Sequence, residues 1–196
     1  MIVIVLPDIA TEDRLLARAR QGDRGAVTAI YDAYFEPVYH FIRMRVDDPA
    51  LAEDLTSEVF VRLVGALRGW RAPRHSLRGW LFRVARNLLH DHYGQDKGVT
   101  LTALDETLDG WAAAPAEDGP EAQVAARLDA ERVRQVIRTL PPEQQEVLLL
   151  RFGQMLSLQE TADIMGKRVG AVKSLQYRAT SALRERLGQM VDGSRP

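Results

Sequence analysis

The chain of 196 residues carries 26 Lys and Arg against 27 Asp and Glu, a formal net charge of −1, with 46% apolar residues and no cysteine. That length allows one domain or two small ones, the apolar content excludes wholesale disorder, and the missing cysteine excludes disulfides, thiolate zinc sites and a cysteine nucleophile. No apolar run approaches the ~20 residues that span a bilayer, and Met1 to Leu6 is short and lacks the basic flank of a secretory leader, so the expectation is a cytoplasmic protein without membrane insertion.

The near-neutral total hides an uneven distribution. From Arg62 to Tyr93 seven arginines face one acid, an excess of six positive charges. From Asp96 to Glu131 nine acids face two bases, and from Gly166 to Leu187 six bases face one acid. Two basic blocks flank an acidic one, a pattern that fits contact with nucleic acid better than the total does.

Spacings of three and four between apolar residues dominate and β signals are scarce, which predicts an all-α fold. Thr11, followed by Glu12, Asp13, Leu15, Leu16 and Ala19, reads as the N-cap of a first helix that Gly22 ends. A second helix is expected from about Arg24 to Val46, with Ile30, Tyr34, Tyr39 and Phe41 on one stripe and an interruption or bend near Pro37. Asp48-Pro49 opens a third, with Leu51, Leu55, Val59, Leu63 and Ala66 on one face. Gly69 to Ser76 reads as a loop, and a fourth helix runs on to about Tyr93.

Periodicity fails from Gln95 to Pro120, where glycine, proline and acids accumulate, so a flexible acidic linker is expected there. Glu121 to Thr139 is helical again, Pro141-Pro142 starts a helix from Glu143 to Phe152, and two shorter helices follow before a tail beyond Val191. The expected division is an arm at 1–11, a first helical domain at 12–95, the linker at 96–120, a second helical domain at 121–190 and a tail at 191–196.

Ser157 to Ser174 has the layout of a helix-turn-helix. Ser157 and Glu160 have capping-box spacing, Leu158, Ala162 and Ile164 face inward, and Gly166 supplies a left-handed turn. Val172, Leu175, Ala179 and Leu183 line the next helix, whose other side carries Lys173, Ser174, Tyr177 and Arg178, where a recognition helix presents side chains to a major groove. The plain alternative is a three-helix packing domain with a solvated basic face, and Gly170-Ala171 gives the helix a weak start.

Upstream, Glu53, Asp54 and Glu58 lie beside an apolar face; Asp54 and Glu58, four apart, share a side of the helix. From Ser76 to Tyr93, Trp80, Phe82 and Tyr93 interleave with Arg78, Arg83 and Arg86, a composition suited to stacking and neutralising single-stranded DNA. Trp80 and Phe82 serve equally well as core.

The runs Asp54-Leu-Thr-Ser-Glu-Val-Phe60, Trp80 to Asp91, Leu140 to Phe152 and Val172 to Ala179, in this order, resemble the extracytoplasmic-function sigma factors of bacterial RNA polymerase, group IV of the sigma-70 family. The resemblance spans about Glu12 to Leu187. It implies a region-two-like bundle and a region-four-like helix-turn-helix, a non-catalytic initiation subunit without cofactor or metal, and as partners core RNA polymerase, promoter DNA and an anti-sigma factor. It further implies polymerase docking by Asp54, Glu58, Phe60 and Leu63. Capture of the minus-ten element would fall to Trp70, Arg71, Arg74 and His75 in the loop with Arg83, Asn87 and His90 on the helix. The minus-thirty-five element would be read by Arg168, Lys173, Ser174, Tyr177 and Arg178. In the family the linker threads toward the polymerase cleft. Two departures stand out: Tyr93-Gly-Gln-Asp-Lys97 where members often carry more basic residues, and Gln176 where they often carry an apolar one.

Enzymatic readings lack their residues. His40, His75, His90 and His92 have no metal-ligand spacing, and no phosphate-binding glycine loop, H-E-x-x-H or G-x-S-x-G motif is present. A two-domain helix-turn-helix regulator that binds duplex operators without polymerase accounts for Gly166 to Leu187 but leaves Asp54 to Asp91 unexplained. A helical protein-interaction module is the remaining alternative.

Overall fold

The computed structural model describes residues 6–69, 73, 76–95, 133 and 135–192, which are helical and contain no strand. They fall into two compact units, 6–95 and 133–192. The expected linker at 96–120, and most of the helix expected from Glu121, lie outside the described residues.

The first unit holds α1 (Ile9–Arg20), α2 (Arg24–Arg43), α3 (Pro49–Leu67) and α4 (Leu77–Gln95). Each of the first three starts on an aspartate. Asp8 accepts from the Thr11 amide at 2.9 Å and from its hydroxyl at 2.8 Å, Asp23 from the Ala26 amide at 3.1 Å and Asp48 from the Ala50 amide at 2.9 Å. The cap of α1 is therefore Asp8 and not Thr11, which sits one turn inside the helix. The Asp8 carboxylate takes the Thr11 amide and the threonine hydroxyl together, so the helix starts three residues earlier. The bonds from the Thr11 backbone and side chain hold the Asp8 carboxyl below its ordinary value, and the Arg18 guanidinium and then the Ala26 amide do the same for Asp23. Arg18 and Asp23 close the α1–α2 corner at 2.8 Å, with Gly22 at φ 86° in the turn.

Pro37 is buried inside α2, which continues past it to Arg43. Ile30, Tyr34, Val38, Phe41 and Ile42 of α2 pack with Val59 and Leu63 of α3 and with Leu77, Leu81, Phe82 and Leu89 of α4. Phe41 and Phe82 meet edge to face, ring centres 5.5 Å apart. Thr56, fully buried, donates its hydroxyl to the Ala52 carbonyl at 2.7 Å, which makes a polar residue tolerable in that core.

In the second unit α5 (Pro142–Leu148) runs into a π-helical turn at Leu149–Gly153, followed by α6 (Leu158–Met165) and α7 (Val169–Asp192). The sequence predicted one α-helix to Phe152; the widened turn shifts register where the chain leaves for α6, and Met155 just beyond it takes a left-handed φ of 53°. Buried Gln145 gives its amide to the Arg138 and Leu140 carbonyls at 3.0 and 2.8 Å, fastening the Leu140-Pro141 entrance. Val147, Leu148, Leu150, Leu156, Ile164, Val172, Leu175 and Ala179 form the core. Among the described residues, no helix is long and apolar enough to cross a membrane.

Candidate functional site

Three exposed faces carry many of the residues that the sequence pointed to, while others are buried behind them or lie outside the described residues. On α4, Leu77, Leu81, Phe82, Ala85, Leu88 and Leu89 are buried, while Arg83, Asn87 and His90 are exposed at intervals of four and three, one row along the helix. Phe82 is fully buried against Phe41, so it belongs to the core and is closed to a stacking base. Trp80 is half-buried, and the Tyr93 hydroxyl donates to the Arg45 carbonyl. Trp70, Arg71, Arg74 and His75, expected in the preceding loop, lie outside the described residues.

On α3, Asp54 is exposed and Glu58 half-buried, its carboxylate accepting from Arg62 Nε at 2.8 Å. Phe60 and Leu63 are buried in their own bundle. Phe60 sits in an aromatic group from α2, its ring centre 4.9 Å from Tyr31 and 6.2 Å from Phe35, with Tyr39 stacked 6.3 Å beyond Phe35. The two apolar residues thus shape the α2–α3 surface from behind. The apolar side chains that reach solvent here are Val61, 64% exposed, and Tyr31, 42% exposed, neither of which the sequence singled out. The spacing of Tyr31, Phe35 and Tyr39 by four was the available signal for the aromatic row.

In the second unit the capping box is complete: the Glu160 amide donates to Ser157 Oγ at 3.2 Å and the Ser157 amide to Glu160 Oε2 at 2.8 Å. Gly166 ends α6 at φ 64°, ψ 33°, the left-handed region where a Cβ is penalised, and the Lys167 amide donates back to the Ala162 carbonyl at 2.9 Å. Val172, Leu175 and Ala179 turn inward while Arg168, Lys173, Ser174, Tyr177 and Arg178 are all exposed on α7 and its approach, Tyr177 at 74%. Gln176 is half-buried and accepts from Arg151 Nε at 3.1 Å; Arg151 also donates to the Leu156 carbonyl. A polar residue is suited to this place because it joins α7 to the π-helical turn.

Cationic, amide and aromatic side chains displayed in rows on rigid helices can neutralise phosphate, hydrogen-bond base edges and stack on bases. No group of His, Asp or Glu able to hold a metal ion occurs among the described residues.

Comparison with known proteins assigns these faces to matched segments. Residues 30–98 match the family model of sigma-70 region 2, and residues 136–185 that of sigma-70 region 4. The chain is 39% identical over 176 residues to the ECF RNA polymerase sigma factor BldN of Streptomyces coelicolor, covering 90% of this chain and 66% of that protein. It is 30% identical over 183 residues to the ECF sigma factor SigD of Mycobacterium tuberculosis, covering 89% and 83%. The fold is shared with CnrH, solved with the cytosolic domain of CnrY (TM-score 0.67, 22% identity, 94% of this chain and 99% of that one). It is shared also with the sigma factor RpoE of Bartonella quintana, solved with the anti-sigma factor NepR (TM-score 0.64, 18% identity, 82% and 96%).

Proposed function

The chain belongs to the ECF (extracytoplasmic-function) RNA polymerase sigma factors, and on that premise we propose that it binds core RNA polymerase through α3, captures unstacked minus-ten bases with α4 and reads the minus-thirty-five duplex with α7. Asp54, Glu58 and Val61 offer a mixed acidic and apolar docking face, with Phe60 and Leu63 holding its shape. Arg83, Asn87 and His90 face the displaced strand. Arg168, Lys173, Ser174, Tyr177 and Arg178 enter the groove, the cations on phosphates and guanine edges, the hydroxyls on bases or backbone.

No catalytic group is needed for melting in this reading. A surface that binds unstacked bases better than paired ones shifts the duplex toward the open state, and its contacts must offset a few kcal/mol for each base taken out of the stack. Polymerase and promoter DNA are the working partners in the cytoplasm. An anti-sigma factor, the class of protein bound to RpoE in the structure above, is the proposed holding partner.

The observation that carries the reading is the exposed row on α7 behind a glycine turn and a complete capping box. Full-length protein added to core polymerase on a promoter library should give run-off transcripts from start sites sharing two upstream elements. Absence of specific initiation from every promoter overturns the reading, and duplex binding without initiation would point to a regulator that acts without polymerase.

A further inference from the structure

The first amides of a helix lack intrahelical partners, and Leu77, Arg78 and Gly79 at the start of α4 find theirs in side chains. Trp80 donates to the Ser76 carbonyl at 3.1 Å and Gly79 to Ser76 Oγ at 3.0 Å, an ordinary local cap. Leu77 and Arg78 donate instead to Glu12 Oε1, at 2.6 and 3.2 Å, across 65 and 66 residues of chain. The other oxygen, Oε2, accepts from Arg78 Nε at 2.9 Å and from the Tyr34 hydroxyl at 2.7 Å, and Arg78 also reaches the Pro7 carbonyl at 3.0 Å. Glu12 is 2% exposed. One carboxylate of α1 thereby joins α1, α2 and the start of α4.

Burying a carboxylate costs several kcal/mol before its partners offset it, so a local serine or aspartate cap would be the simpler way to begin this helix. The added return is register. Two amides and a guanidinium on one carboxylate fix both the axial position and the rotation of α4 at its first turn. Arg83, Asn87 and His90 follow on the same rigid rod, roughly 9 to 20 Å along it at 1.5 Å per residue. Glu12 lies outside the residues matched by the region 2 model, which begin at position 30.

We propose that Glu12 is a positioning residue for minus-ten capture: α1, through this carboxylate, sets the register in which α4 presents Arg83, Asn87 and His90 to the displaced strand. This rests on the assignment of α4 to the minus-ten element.

The test uses full-length protein with core polymerase and a forked promoter probe whose minus-ten strand is single, compared with the same probe carrying scrambled minus-ten bases. Affinity for polymerase and the melting curve of each variant are measured alongside, and binding is read well below the melting transition. Glu12→Asp keeps the charge but falls one methylene short of α4, and should lower the preference for the true minus-ten sequence about tenfold. Glu12→Gln keeps one acceptor oxygen and should lower it about threefold. Polymerase affinity should stay within twofold in both. An undiminished preference in both variants overturns the proposal, as does a loss that merely follows polymerase affinity or the melted fraction. If the wild-type protein itself shows no preference, the assignment of α4 fails and the inference falls with it, an outcome distinct from variants that match a discriminating wild type.

Discussion

α4 begins at a node enclosed within the first unit, whereas α7 begins at the surface, after Lys167-Arg168, with its position held by an apolar stripe and by ties that water can reach. Those ties are Lys167 to Glu143 at 2.7 Å, Arg151 to Gln176, and Arg186 to the Thr139 carbonyl at 2.6 Å. The contrast fits the roles proposed for the two helices. A duplex groove brings its own frame, since phosphate contacts help set the register of a helix lying in it. Unstacked bases bring none, so the frame has to be built into the protein.

The sharpest way to break this contrast is to disturb the node without touching either proposed DNA face. Tyr34→Phe removes a buried hydroxyl that donates to the Glu12 carboxylate, and should destabilise the first unit by about 2 kcal/mol. Hydrogen exchange should show the Leu77 and Arg78 amides opening more often while α7 is unchanged. Equal loosening of both units would mean that the node is not local to the first. In the second unit the corresponding weak point is backbone conformation: Gly166→Ala at φ 64° should cost about 1 kcal/mol and speed exchange in α6 and α7, measured in the same experiment. Smallest is Lys167→Gln, which breaks a pair with side chains 29% and 56% exposed and should change stability by no more than about 0.5 kcal/mol. A larger loss in denaturant titration would show that the surface ties, and not the apolar stripe, hold α7.

What could be read from the sequence divides along the same line. Ser157 with Glu160, Gly166, and the inward Val172, Leu175 and Ala179 were legible because every partner lies within a turn or two. Arg83, Asn87 and His90 came from the resemblance to a family and not from spacing, and their exposure along one side of α4 is what the structure adds. Glu12 was not legible, since nothing near position 12 announces amides at 77 and 78; it passed for an acid in a first turn. Phe60 and Val61 show a subtler failure. In the run Val59-Phe-Val61 spacing alone leaves open which side chain turns outward, and only the aromatic row of Tyr31, Phe35 and Tyr39 decides that Phe60 is enclosed and Val61 exposed. The π-helical turn at Leu149–Gly153 likewise has no local marker, because the extra residue per turn is set by how α5 and α6 must meet.

The span between Glu12 and Arg78 also has a meaning in time. A ribosome adds about 5–20 residues per second, so roughly 3 to 13 s pass between synthesis of the carboxylate and synthesis of the amides that complete it. Through that interval α1 and α2 can form, but the charge meant for the centre of the unit has no enclosed place to go. The first unit closes only when its last helix arrives, and that helix is the one proposed to hold the melted strand.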